Sequence, residues 1–200
     1  MTKTLDDNSS AALPGRLNLS RRKYAQYFNR SNWSVTLGSS LPWSARNWPV
    51  VGQYVQHWTY TREHLLHGCL NPAMVISKEK SLLAVYTSLS YTEGEVYPVI
   101  KIDRERLDLL DPARVFDGAK FAASSLYGRS EEGEAEGRWG YFQPIVVDCL
   151  VDDDLACEFA MQKLKSLAWQ ALEIGINQLT SNEVGLHKVE VPYEIAWNAY

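Results

Sequence analysis

Glu63, His64, His67 and Cys69 form the tightest cluster of potential metal ligands in this 200-residue chain. On a helix, His64 and His67 stand one turn apart on the same side, so two imidazoles could reach one ion, as zinc sites require. Cys69 lies just past the end of that helix, and Glu63 or His57 could complete a set. The spacing is not that of an H-E-x-x-H helix, and no second Cys or His cluster follows at the usual distances. No metal or other cofactor is therefore assigned, and His64, His67 and Cys69 stand as the candidates should one bind. The plainer expectation is a pair of histidines at a helix C-terminus, where their cationic forms suit the dipole. Asp152, Asp153 and Asp154 offer carboxylates to Mg²⁺ or Ca²⁺, with Asp148 nearby, but they lack the alternating ligands and the Gly of a calcium loop. Helix capping accounts for them.

Nucleophilic catalysis needs a Ser or Cys with a base in hydrogen-bond reach. The chain holds no G-x-S-x-G elbow, P-loop or G-x-G-x-x-G. Cys69, Cys149 and Cys157 lie in apolar or helix-flanking contexts, where thiols behave as small hydrophobes. No catalytic residue is named on this basis, and the reading leans away from an enzyme. Because a triad is defined in space, a dispersed one that includes His187 stays open.

The remaining candidate is a charge asymmetry. Residues 8–62 carry seven Lys and Arg and no acid, while residues 63–200 carry twelve basic and twenty-two acidic residues. Four of the seven Trp (Trp33, Trp43, Trp48 and Trp58) fall in the basic stretch. Arg21, Arg22, Lys23, Tyr27 and Trp33 are the binding candidates. Cations of this kind contact phosphates and rings stack on bases. A sequence pI near 5.6 argues against nucleic acid, because the acidic body repels a polyanion. An anionic membrane surface is a second option, but the apolar face is short. The bland alternative is that the rings pack on the rest of the chain while the cations pair with its acids.

The elements that must position these groups read as follows. Residues 1–15 form a polar, disordered tail and residues 16–200 one globular domain. That domain divides into a basic aromatic segment (16–62), a sheet (70–151), a helix (152–180) and a final strand (186–200). Ser20 caps a short helix that sets Tyr24, Tyr27 and Phe28 on one face, weak by itself because three cations open it. Residues 34–49, rich in Ser, Pro and Trp, suit an irregular cover. A helix follows, clearest at 60–67, and Gly68 should stop it in the left-handed conformation. Strands are expected at 73–77, 81–88, 96–102, 120–127 and 141–151. Pro98 should put the third at an edge or give it a bulge, and residues 128–137 form a solvated hairpin tip. Apolar residues spaced by three and four from 155 to 179 predict one long helix across the sheet. The fold class is α+β: an antiparallel sheet of five to six strands, able to curl toward a barrel, with a long C-terminal helix packed on it.

No window is apolar enough to span a bilayer, and the first ten residues have no apolar core like that of a signal peptide. Three widely spaced cysteines do not make a disulfide framework, so a reducing cytoplasm is expected. Residues 68–77 and 97–102 have the look of motifs that recur in bacterial domains. The reading is a non-catalytic protein-interaction module, with another protein or a second copy as partner. The alternatives are a hydrolase with a His/Glu site and a carrier holding an apolar ligand between sheet and helix. Exposure of Trp33, Trp43 and Trp48 would favour the module.

Overall fold

The computed structural model describes residues 12–92 and 94–200. Three helices come first: α1 (Arg21–Tyr27), α2 (Asn32–Ser40) and α3 (Gly52–His67). Six strands follow: β1 (Cys69–Ser77), β2 (Leu82–Ser88), β3 (Pro98–Arg104), β4 (Lys120–Gly128), β5 (Tyr141–Val146) and β6 (Gly185–Lys188). Between β4 and β5 lies the short α4 (Glu131–Ala135). Helices α5 (Asp154–Lys163) and α6 (Ser166–Ile176) precede β6, and α7 (Tyr193–Asn198) comes after it. The strands form one antiparallel sheet in the order β5-β4-β1-β2-β3-β6, rolled into a half-barrel.

Period-two alternation gives the sheet two apolar faces. Val75, Leu83, Val85, Val99, Phe121 and Phe142 fill the concave side with Leu107, Leu110 and Val115 from the segment between β3 and β4. Tyr86, Ile100 and Ile102 meet Ala168, Ala171 and Leu172 of α6 on the convex side. Further along that side, Leu70 and Ala122 meet Leu65 of α3 and Cys157, Ala160 and Leu164 of α5. Gly175 seats α6 closely, since a Cβ there would stand 2.6 Å from Ile100 Cδ1.

The half-barrel is closed at one edge by side chains. Lys101 Nζ donates to the Phe142 carbonyl at 3.3 Å, and Glu105 Oε2 accepts from Val146 N–H at 3.1 Å. Pro144, between them, has no N–H to leave unpaired. Two of the outward backbone groups of β5 are thus met from the β3 side.

Several expectations need correction. The single long helix is two helices, because Leu164 and Lys165 are extended (ψ 116° and 155°). A straight rod cannot follow the curved convex face, so α5 lies by β4 while α6 lies across β1, β2 and β3. No Gly or Pro marks the break. The expected final strand stops at Lys188, and Pro192 then leads into α7, as its missing N–H and fixed φ allow at a helix start. Residues 34–49 are not irregular, since α2 buries Ser34, Val35 and Gly38 and a 3₁₀ turn spans Trp43–Asn47. Pro98 opens an interior strand rather than an edge one, and sits opposite Ser88. Gly68 is extended (φ −60°), not left-handed. It is needed for close approach, because a Cβ would stand 2.3 Å from the His64 carbonyl and 2.4 Å from Ser124 Oγ. The loop over 128–137 is tied down as well as solvated: Glu132 and Glu136 pair with Arg138, which lies over the Tyr97 ring.

Of the tail expected over 1–15, residues 1–11 lie outside the described residues. Leu13 and Gly15 are fastened, Leu13 by its carbonyl to Leu70 N–H and Gly15 by its N–H to the Gly68 carbonyl. No helix among the described residues is long and apolar enough to cross a membrane.

Candidate functional site

The basic segment folds as a helical layer against the sheet. Ser20 Oγ accepts from Lys23 N–H, which caps α1. Tyr24 is buried, with its ring on Phe28, His57 and Trp58 and its hydroxyl 2.6 Å from His57 Nδ1. Burial there pushes the Tyr24 phenol up to about 12 and holds His57 below its ordinary value, with Arg30 adding to the His57 shift. The α1 helix, too weak to stand alone, leans on α3 through this aromatic cluster.

The five binding candidates divide between inward and outward roles. Arg22 pairs with Asp152, which also accepts from Ser20 Oγ. Lys23 Nζ donates to the carbonyls of Asp148 and Val151 at 2.8 and 2.7 Å. Tyr27 is half-buried beside Glu105, and burial, followed by that carboxylate, raises its phenol. These three hold the layer to the body. Arg21 and Trp33 face solvent.

The outward groups gather around the first turns of α3. Trp33 packs edge-on to Tyr54 with ring centres 5.3 Å apart, and Arg30 lies 6.0 Å over the same Tyr54 ring. Arg46 lies 4.6 Å over Trp43, and its carbonyl accepts from Gln56 Nε2. Trp48 and Val50 follow, both exposed. Val50 has φ +63° and is bridged by a 2.7 Å bond from Val51 N–H to the Pro49 carbonyl, so it centres a γ-turn of the strained, positive-φ kind. A β-branched residue there is costly, and such strain collects at functional positions. Nothing in the spacing of residues marked Tyr54 as the platform. Pro49 before two valines was the available sign of the turn.

The three metal candidates do not converge. His64 is buried, its Nε2–H donating to the Ser124 carbonyl at 2.9 Å while Ser124 Oγ donates back to the His64 carbonyl at 2.7 Å. Burial holds its imidazole down to about 4. His67 points to solvent and pairs with Glu63 at 3.2 Å. Cys69 turns to the concave side, where burial raises its thiol. Sequence spacing put the two imidazoles on one side of a helix, but the side chain at 64 is drawn against β4 and the one at 67 is not. Among the described residues no group of three His, Cys, Asp or Glu could hold a metal ion.

A buried polar cluster escaped the sequence reading. Asn71 Nδ2 donates to the Tyr127 hydroxyl at 3.1 Å, and that hydroxyl lies 2.7 Å from Thr87 Oγ1. Tyr200 donates toward Asn71 Oδ1 at 2.6 Å and the Tyr86 carbonyl at 3.2 Å. Continuing the Ala73–Val85 register by one residue sets Pro72 opposite Tyr86. Having no N–H, Pro72 leaves that carbonyl without a ladder donor, and Tyr200 supplies one. Burial raises both phenols well above their ordinary value. They are hydrogen-bond donors that seal the sheet, not proton carriers near neutrality.

Comparison with known proteins adds a family. The sequence model of a family described as "Protein of unknown function (DUF3239)" matches residues 56–180. The match begins within α3 and ends just past α6, so α1, α2, Trp33, Trp48 and Val50 lie before it. A solved structure from Corynebacterium diphtheriae, described as a "putative membrane protein", is similar at 13% identity and a TM-score of 0.46, covering 60% of this chain and 99% of that one. No curated protein matches the chain.

Proposed function

The chain belongs to the DUF3239 family, and for this member we propose a non-catalytic interaction module that docks another protein, or a second copy of itself, through the N-terminal helical layer. The observation that carries this reading is the exposure of Trp33 and Trp48, at 58% and 55%, on a fold that buries Trp58 to 9%. Indole rings left in water on a rigid base are the usual anchors of a protein interface. Trp43, half-buried with Arg46 over its ring, opens the 3₁₀ turn that precedes Trp48.

Two histidines and the three cysteines, groups able to do acid–base or nucleophilic chemistry, have other duties. His64 and His57 are held neutral by burial, and one ring nitrogen of each is bonded, to the Ser124 carbonyl and the Tyr24 hydroxyl. Cys69, Cys149 and Cys157 are all buried and unpaired, and burial raises each thiol, that of Cys157 to about 12. Thiols so held are poor nucleophiles, and their free state suits the reducing cytoplasm, where this reading puts the protein.

The test has two arms on the intact chain. Light scattering over a range of concentrations reads self-association, and a peptide-display library selected on immobilised protein reads partner binding. The expected result is self-association or selected peptides that lose about tenfold or more in affinity to the Trp33→Ala/Trp48→Ala double variant, with circular dichroism unchanged. A monomer at every concentration, with no selected peptide sensitive to those tryptophans, would overturn the proposal.

A further inference from the structure

The charge of the helical layer bears on the kind of partner that would suit the tryptophan face. The helical layer carries seven cations and no acid over residues 8–62, beside a body rich in carboxylates. Internal neutralisation would pair most of them. Only Arg22 is so used: among the described residues Arg16, Arg21, Arg30, Arg46 and Arg62 make no ion pair, although nine pairs join other charges, Arg22–Asp152 included. Two of the five unpaired cations lie over aromatic rings of the layer. Arg30 shares the Tyr54 ring with Trp33, and Arg46 is stacked on Trp43, two residues before Trp48. No acid stands in the first turn of α2 or α3, so no carboxylate of the layer offsets the positive potential at those two helix starts, whereas at α1 Asp152 does so from the body.

Resting on the interaction-module reading, we infer that the partner segment bound on this face is acidic, its carboxylates meeting the Arg30 and Arg46 guanidiniums and its apolar side chains covering Trp33 and Trp48. Six of the seven cations are arginine. A planar guanidinium held on an aromatic face presents its fork in a fixed direction, which suits bidentate capture of a carboxylate. A membrane surface needs only diffuse positive charge, and the long phosphate backbone of a nucleic acid would run on past the layer. Both would face the acidic remainder of the chain, residues 63–200, where acids outnumber bases by twenty-two to twelve. A short acidic segment engages the layer alone.

The experiment uses the full chain and three labelled peptides of one length and one set of leucine and phenylalanine positions. Their intervening residues are Glu, Gln or Lys. Phosphatidylcholine vesicles with about a third phosphatidylserine and a single-stranded oligonucleotide are run alongside. The expected result is that the Glu peptide binds about tenfold or more tighter than the Gln peptide, that added salt removes this advantage, and that Arg30→Gln and Arg46→Gln each reduce it. Arg30→Lys should recover only part, and Arg30 is the safer site because its exposed side chain leaves the fold undisturbed. Equal binding of the Glu and Gln peptides, still lost in Trp33→Ala/Trp48→Ala, would overturn the acidic partner and keep the docking face. Tighter binding of vesicles or oligonucleotide than of the Glu peptide would overturn the inference in favour of that other anion. No peptide binding at all would sink both the inference and the reading beneath it.

Discussion

His64 shows how a residue that looks like a ligand becomes a structural one. Its ring is almost wholly buried between α3 and β4, and the double exchange with Ser124 uses both a side-chain and a backbone group of each partner. Burial lowers its folded value to about 4 from an ordinary 6.5, so the direction of its pH effect is determined. Between pH 6.5 and about 4 the unfolded chain takes up a proton that the folded chain refuses. Stability from this group is therefore complete above pH 6.5, falls with acid through that window and levels off below it. The shift corresponds to roughly 3 kcal/mol. His64→Gln keeps a donor for the Ser124 carbonyl and does not titrate; it should cost about 1–2 kcal/mol at neutral pH and shed that part of the acid sensitivity. Urea midpoints at several pH values for both proteins give the comparison. Parallel curves would mean that His64 is hydrated or already charged in the folded state.

At the scale of elements, the main result is how the open sheet handles its β5 edge. Glu105 is buried, its Oε1 accepting from Arg106 N–H at 2.7 Å and its Oε2 from Val146 N–H, with Tyr27 of α1 beside it. One carboxylate thus joins three elements: the end of β3, the edge strand β5 and the basic helix α1. Glu105→Ala should cost about 3 kcal/mol, because buried donors are left without acceptors. Glu105→Gln, which keeps one carbonyl oxygen, should cost less. Hydrogen exchange should show the Val146 amide losing protection selectively; uniform loss across β4 and β5 would mean that Glu105 acts through packing alone. How far the elements could be read from sequence depended on how local their causes are. Strands β1 to β5 and the α1 cap follow from alternation and from Ser20, which are local signals. The break at Leu164–Lys165 is not local: buried Cys157, Ala160, Leu164, Ala168, Ala171 and Leu172 keep helical spacing straight through it, and only the curvature of the sheet beneath demands the turn. The candidate face was half legible. The basic and aromatic composition announced it, but the sequence could not show that Arg22 and Lys23 turn inward while Arg30 and Arg46 stay out, because Asp152, Asp148 and Val151 lie more than a hundred residues away.

For the whole molecule, the question is whether the basic segment is an arm or part of the body, and burial answers differently from charge. Leu17, Tyr24 and Val35 are 4%, 3% and 4% exposed, and they cover Leu65, Leu70, Leu150 and Trp58. Each such side chain stabilises by about 1.5–3 kcal/mol on burial. Three together approach the roughly 5–15 kcal/mol that a whole domain commands. A chain starting at Val51 should therefore lose cooperative unfolding and aggregate, not remain as a trimmed module. The ionic side of the same junction is slight: among the described residues one ion pair, Arg22–Asp152, crosses it, with side chains 66% and 41% exposed, and exposed pairs contribute at most about 1 kcal/mol. Raising salt should accordingly leave the thermal midpoint of the full chain almost unchanged while weakening its association with an acidic partner. Light scattering and thermal melts of both lengths at low and high salt separate the two effects. If the shortened chain stayed a folded monomer, the layer would be an appendage held by charge. If salt melted the full chain, the unpaired arginines would have partners in the body after all, and the docking face would lose the cations that define it.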